Sequence, residues 1–339
     1  MERNRKSSGE PRMFFTYPPI DDEILRVLKN REEFAVVGHV SPDGDCISSQ
    51  MAMKALLLKL GKRVHLANAG PFDRSEITHL RADFLPHIDE ELYKRNPVVI
   101  VVDCSARERL GHIGDEIEGL TTVIFDHHSS GEQFGTYRYI VPRSVSTTLI
   151  IMHLFKTLEL EITTEIAEHL FFGFATDSGF FRFINAYRGE TLRMAAELVD
   201  LGVSPNMMNT RMTGGKNLSY VKYLGKLIDR SESHFEGKLM CSTSFLADSD
   251  AYITNDKPSD ALYTMLLSIK DVDVVLFFKQ LSDEATEVGF RASHQSHIDV
   301  GALAESFGGG GHKKAAGATV QQPLEVVRKS LLQAVENLI

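Results

Sequence analysis

The chain is short of cysteine, of positive charge and of long apolar runs, and each shortage closes off a class of function. Its three cysteines, Cys46, Cys104 and Cys241, stand far apart with no Cys-x-x-Cys spacing. That argues against a disulfide framework and for a reducing compartment. Lysine and arginine total 37 against 46 acids, a net charge of −9. A protein that grips long duplexes neutralises many phosphates at once and needs a basic surface. Any nucleic-acid partner is therefore expected to be short, or held by a local patch and bound metal ions, and a long duplex is excluded. No stretch approaches the roughly 20 apolar residues that span a bilayer, so no membrane partner is expected. The opening MERNRKSSGEPRM lacks the apolar core of a secretory signal. A cytoplasmic location is the resulting expectation. No repeat or low-complexity tract stands out.

What remains is an ordinary globular composition, 43% hydrophobic and 24% charged. At 339 residues the chain exceeds what one core usually serves, which predicts two domains. Residues 1–18 read as a disordered tail. From there to residue 185, valine- and isoleucine-rich runs at 34–40, 63–68, 97–104 and 121–127 alternate with helical patterns. Ile47, Met51, Ala55 and Leu58 recur at helical spacing before Gly61, and two long helical patterns lie near 146–160 and 163–176. Strands that are apolar throughout and alternate with helices predict a parallel sheet covered on both faces, with its site beyond the carboxyl ends of the strands. Residues 186–232 are helical and more charged and read as a connector. Residues 233–339 read as a smaller α/β domain, with strands at 235–245, 271–281 and 284–293, a Gly-rich turn and a final helix near 323–338.

Four polar clusters fall at the expected strand and helix ends. GHVSPDGDCISS carries His39, Asp43 and Asp45, a set that can surround two cations from one loop. VVIVVDCS ends five aliphatic residues on Asp103, FDHH ends a strand on Asp126, His127 and His128, and FATDSGFF places Asp177 after an apolar helix. A single acid at a strand end is usually a cap. Several converging on one sheet edge cannot all ionise without a compensating cation. Oxygen and nitrogen donors without cysteine pairs suit manganese or magnesium better than structural zinc. Cys46 and Cys104 flank these donors and read as small apolar packing residues. Arg107 and Arg109, just past Asp103, read equally as substrate contacts or as anchors of their own loop. In GGGGHKKAAG, the glycines allow close backbone approach to an anion, and His312 can stack on a base or donate to a phosphate.

HVSPDGD, VVD, DHH and TDSG, in this order, resemble the DHH phosphoesterase superfamily. FRAS followed by FGGGGHKKAAG resembles its DHH-associated C-terminal domain. The set is similar to the branch that holds oligoribonucleases (nanoRNases), phosphoadenosine phosphate phosphatases and cyclic-dinucleotide phosphodiesterases. The resemblance covers about residues 20–330. It implies that 19–185 is the catalytic domain and 233–339 the substrate-binding domain. It implies that His39 and Asp43 hold one metal, that Asp45, His127 and Asp177 hold a second, and that Asp103 bridges both. His128 would face the scissile phosphate and Asp126 would orient an imidazole. Arg291, Ser293, Gly310, Gly311 and His312 would form the substrate-side wall. The implied cofactors are two divalent cations, manganese first and magnesium second. The implied activity is hydrolysis of short oligonucleotides to nucleoside monophosphates, with phosphoadenosine phosphate and cyclic dinucleotides as further substrates. A homodimer stays open. Two rivals are a manganese-dependent inorganic pyrophosphatase and a non-catalytic nucleotide sensor. Two departures from the family pattern are visible, Ser48-Ser49 after the first motif and Ser178 after Asp177.

Overall fold

The structure is a computed structural model and describes residues 15–129, 131, 134–184, 188–251 and 258–339. They divide into two compact units that meet at Gly215 and Lys216, inside the stretch 186–232. Of the expected tail over 1–18, residues 1–14 lie outside the described residues. Tyr17 and Pro18 pack on the first unit. The Tyr17 hydroxyl bonds Ser144 Oγ at 2.8 Å, its ring stacks on His153, and Pro18 offers its carbonyl to the Tyr139 hydroxyl. Among the described residues no helix is long and apolar enough to cross a membrane.

The first unit opens with α1 (Asp22–Asn30) and β1 (Glu33–Val37), followed by α2 (Gly44–Lys59), β2 (Arg63–Ala67), the short α3 (Glu90–Lys94) and β3 (Val98–Val102). After α4 (Ile113–Glu116) come β4 (Thr122–Asp126), β5 (Tyr137–Ile140), α5 (Thr147–Thr157), α6 (Thr164–Asp177), α7 (Gly189–Asp200) and α8 (Pro205–Thr213). The five strands form one parallel sheet in the order β2-β1-β3-β4-β5. Every residue of β1, β3 and β4 is buried. This is why these runs read as unbroken aliphatic sequence: neither face meets water, and each fully buried Val or Ile contributes roughly 1.5–3 kcal/mol. The short strand β5 was not foreseen. Its residues YRYI are mostly half-buried at the sheet edge and carry little apolar signal.

Strand order decides where a site can form. The chain runs from β1 outward to β2, then crosses back to β3 on the other side of β1. At such a reversal the connections leave in opposite directions, and a crevice opens beyond the carboxyl ends of the two central strands. His39 lies two residues beyond β1, Asp103 one residue beyond β3, and Asp126 ends β4.

The second unit begins with α9 (Leu218–Asp229) and β6 (Glu232–His234), then β7 (Leu239–Ser244), α10 (Leu246–Ala251), α11 (Ser259–Leu267), β8 (Val274–Ser282) and β9 (Ala285–Ala292). It ends with α12 (Val300–Glu305), β10 (Gly310–His312), β11 (Ala315–Val320) and α13 (Leu324–Glu336). Its six strands run in the order β10-β11-β9-β8-β7-β6, with β7 and β8 parallel and the other pairs antiparallel. Of the Gly-rich segment expected as a turn, Gly308 does lie in a turn, while Gly310 and Gly311 belong to the edge strand β10. Glycine suits this strand because a side chain at Gly311 would lie 2.6 Å from the Ala316 Cα.

Helices α2, α5 and α6 pack together against the first sheet. A methyl group on Gly173 would lie 2.4 Å from Thr148 Cγ2 and 2.8 Å from Asp45 Oδ1. Both neighbours are fully buried and hydrogen-bonded, so neither can swing away. An alanine in an exposed helix would gain up to about 1 kcal/mol over glycine. Here overpacking dominates, and Gly173→Ala is expected to lose about 1–3 kcal/mol of unfolding free energy. Urea denaturation checks this; a midpoint at or above that of the parent protein would contradict the packing argument.

Candidate metal and active site

The site is built from five chain segments. After β1 the backbone turns through Ser41 at φ 50° and enters α2, whose N-cap is Asp43; its carboxylate accepts the Cys46 amide at 3.1 Å. His39 donates Nδ1–H to the Val40 carbonyl at 2.8 Å, because a carbonyl can only accept. That fixes the tautomer and turns Nε2 towards Asp103 Oδ2 at 3.5 Å and Asp43 Oδ1 at 3.9 Å.

Asp103 follows the last residue of β3 with φ 58°, a left-handed conformation that costs of order 1–3 kcal/mol for a residue with a side chain. Its amide still reaches the Phe125 carbonyl of β4 at 3.0 Å. The kink keeps the sheet pairing while carrying a buried carboxylate between both imidazoles: Oδ2 faces His39, and Oδ1 lies 3.4 Å from His127 Nε2.

Asp45 is wholly buried in the first turn of α2. The amides of Thr147 and Thr148, at the start of α5, donate to its two oxygens at 2.7 and 3.1 Å. A carboxylate is favoured there by the positive end of the helix dipole. The Thr147 hydroxyl also donates to Asp103 Oδ1 at 3.0 Å. Thr147 thus ties two acids together, a role the sequence reading missed. Its cue was the Ser-Thr-Thr sequence of a helix start, which signals a cap and nothing more. Asp177 closes α6 and approaches His127 Nε2 at 3.1 Å.

Asp126 Oδ1 accepts the amides of His127 and His128 at 2.8 and 3.2 Å and lies 2.8 Å from His128 Nδ1. The other oxygen, Oδ2, is buried and has no partner among the described residues. Asp126 therefore holds the partly exposed His128 ring by Nδ1, and Nε2 takes no part in that bond.

The donors fall into overlapping groups whose ligand atoms lie within 4.8 Å of one another: Asp45, His127 and Asp177; His39, Cys46 and Asp103; and Asp103, Asp126, His127 and His128. Asp103 belongs to two of them. Cys46 was expected only to pack, yet its sulfur sits in the second group. Burial pushes its thiol up to about 11, against the pull of His39.

Proton affinities show how the crowded acids balance one another. Burial pushes the Asp45 carboxyl well above its ordinary range, and the charges of Asp103 and Asp177 push it further. Asp177 is raised by burial and by Asp103, against the pull of His127. Burial would raise Asp103 too, but its bonds to His127 and His39 hold it well below the usual carboxylate range. Burial alone would lower His127; Asp103 and Asp177 instead lift it to about 12. His39, likewise buried, is lifted to about 12 by Cys46, Asp103 and Asp43. By themselves these side chains offset part of their negative charge by holding protons on Asp45 and on both imidazoles. Divalent cations compensate the same charge without them, and the oxygen–nitrogen donor set fits such ions.

In the second unit, Arg291 on β9 pairs with Ala315 on β11, which pairs with His312 on β10. Directly paired residues share a sheet face, so Arg291 and His312 stand on one face two strands apart, about 10 Å at normal strand spacing. The small Ala315 lies between them. The Arg291 guanidinium stacks 4.5 Å over the Tyr263 ring. Ser293 follows β9, held by its amide to the Asp273 carbonyl at 2.8 Å. A side chain on Gly310 would meet open space, whereas one on Gly311 would collide with β11. Arg107 lies 4.0 Å from Glu118, both side chains being exposed.

Residues 33–174 match the model of the DHH family, N-terminal domain, and residues 243–339 that of the DHHA1 domain. The chain is 30% identical over 324 residues to the bifunctional oligoribonuclease and PAP phosphatase NrnA of Thermus thermophilus, covering 92% of this chain and 94% of that one. It is 25% identical to the protein of the same name from Bacillus subtilis, covering 88% and 92%. Among solved structures it resembles an exopolyphosphatase-related protein from Bacteroides fragilis with a TM-score of 0.82 and 21% identity, over 93% and 95% of the two chains. With both domain models matched in order and a relative this similar along nearly its whole length, the chain belongs to the DHH family of phosphoesterases.

Proposed function

We propose that this protein is a metal-dependent phosphodiesterase that hydrolyses short oligonucleotides, such as nanoRNA and linear dinucleotides, to nucleoside monophosphates. Phosphoadenosine phosphate and cyclic dinucleotides are further substrates of the same site. The observation that carries the reading is Asp103, a buried carboxylate with one oxygen towards His39 and the other towards His127. In this assignment His39 and Asp43 hold one ion, Asp45, His127 and Asp177 hold another, and Asp103 serves both. Bound there, two divalent cations, manganese first, supply Lewis acidity towards phosphoryl oxygens and an activated water. The names of the Thermus and Bacillus relatives support the substrate class.

The chain's own residues supply the rest. Asp126 holds His128 by Nδ1, so Nε2 is placed to donate to a phosphoryl oxygen or to the leaving group. Thr147 keeps Asp103 and Asp45 in fixed orientation. Arg291 and His312, sharing one sheet face, suit a terminal nucleotide: a guanidinium fork for phosphate and an imidazole for a base or phosphate. The acidic balance of the chain, −9, argues against a long basic track for extended strands.

Asp103→Ala is expected to abolish turnover and reduce bound metal while circular dichroism stays that of the parent. Near-native activity in the purified variant would remove the shared-ligand assignment. His127→Ala is expected to lower metal affinity. His128→Ala should keep it and lower kcat by on the order of 10²–10⁴-fold. Metal titration of the two variants side by side separates the roles, and equal metal loss in both would show them misassigned. Thr147→Val, which keeps the shape and loses the hydroxyl, should weaken metal binding on the order of 10–100-fold.

Time courses with manganese on a dinucleotide and on a 24-nucleotide RNA test the substrate length. Much faster cleavage of the dinucleotide is expected, with a raised KM in Arg291→Ala and His312→Ala. Equal or faster cleavage of the long RNA would overturn the short-substrate reading. Exclusive hydrolysis of pyrophosphate in the same panel would move the protein to the pyrophosphatases.

A further inference from the structure

A second group of ligands lies outside the catalytic cluster, on the surface of the first unit. His87, His112 and Glu116 each offer one donor atom, all within 4.8 Å of one another. Glu116 Oε1 lies 2.9 Å from His87 Nδ1 and 3.9 Å from His112 Nε2, and the imidazole centroids are 4.5 Å apart. Zinc binds imidazole nitrogen at about 2.0–2.1 Å and carboxylate oxygen at about 2.0–2.2 Å. Two ligands of a tetrahedral ion then lie roughly 3.4 Å apart, between the two distances found here.

The backbone holds these groups in place. The Leu85 amide donates to the Leu66 carbonyl at 2.9 Å and the Asn68 amide to the Leu85 carbonyl at 3.0 Å, which fastens the segment carrying His87 to the edge of β2. The Ile88 amide donates to Glu116 Oε2 at 2.8 Å, so the carboxylate points Oε1 at the imidazoles. His112 and Glu116 are four residues apart at the start and end of α4. Next to His112, Gly111 has φ 62° and approaches Val40 so closely that a methyl group there would lie 2.6 Å from Val40 Cγ1. The Val40 amide donates to the Arg109 carbonyl at 2.8 Å. The ligands therefore join two loops, one of them packed beside His39.

We infer that His87, His112 and Glu116 form a surface zinc site that fastens the segment around His87 to the loop ahead of α4. Two nitrogens among three ligands favour zinc over manganese or magnesium, which prefer oxygen. The fourth position is open to water. Binding exchanges two polar contacts for metal bonds, that of His87 Nδ1 with Glu116 and that of His112 Nε2 with the Pro86 carbonyl at 2.8 Å. Pro86 is exposed, so its carbonyl finds water instead. This inference does not rest on the phosphodiesterase reading, since none of the three residues belongs to the catalytic cluster.

The test is equilibrium dialysis of protein kept in excess manganese against limiting zinc, with metals counted by mass spectrometry. The parent protein is expected to retain one more zinc per chain than His87→Ala/His112→Ala. Single His112→Ala and Glu116→Gln variants should each weaken this zinc on the order of 10–100-fold. Zinc bound at the catalytic cluster appears equally in all variants and cancels in the comparison. Zinc should also raise the Tm of the parent above that of the double variant, because a ligand bound only by the folded state stabilises it. Equal zinc counts in parent and double variant, with matching circular dichroism, would overturn the site.

Discussion

Five carboxylates and three imidazoles crowd the carboxyl ends of β1, β3 and β4 and the ends of α2 and α6, and the first unit is organised around that electrostatic problem. His39, Asp45, Asp103 and Asp126 are buried there, so their charge must be balanced locally. The fold supplies part of the balance itself: the start of α5 offers two amides to Asp45, the Thr147 hydroxyl reaches Asp103, and the backbone amides of His127 and His128 hold Asp126. A raised proton affinity at Asp45, His39 and His127 offsets a further part of the charge. A site that must otherwise hold protons against burial is one that divalent ions can occupy with favourable exchange.

The sheet makes this arrangement affordable. Because β1, β3 and β4 are buried throughout and mostly apolar, they form a packed base beneath the loops that carry the site. The strained backbone at Asp103 persists because its amide remains in the sheet pairing with Phe125. Close contacts at Gly173 and Gly44 bring α6 against α2, so Asp177 arrives beside His127 as a consequence of helix packing. Site and core are thus one construction, and a methyl group added between the helices disturbs both.

The second unit solves a different problem with an antiparallel edge. Sheet pairing alone places Arg291, Ala315 and His312 in a row, with the smallest of the three in the middle. Of the glycines that read as a turn, Gly310 and Gly311 are strand residues, and at Gly311 only a residue without a side chain fits against β11. Sequence reading judged the segment by its composition, and glycine in a strand interior carries no strand signal.

Local sequence determined the buried strands, the helix starts and the donor types, because periodicity and capping are properties of neighbouring residues. The family resemblance of the ordered motifs was legible for the same reason: each motif is contiguous. Tertiary structure decided what depends on distant residues meeting. The 102 positions that separate Asp45 from the Thr147 amide, and the 44 between Asp103 and the Thr147 hydroxyl, carry no pattern in the chain. Nor does the approach of Cys46 to His39, since a cysteine in a helix turn reads as packing. His87 and His112 illustrate the limit most plainly. They are ordinary surface residues until the edge of β2 and the start of α4 bring their rings together, because proximity is fixed by strand order and helix packing and not by residue type.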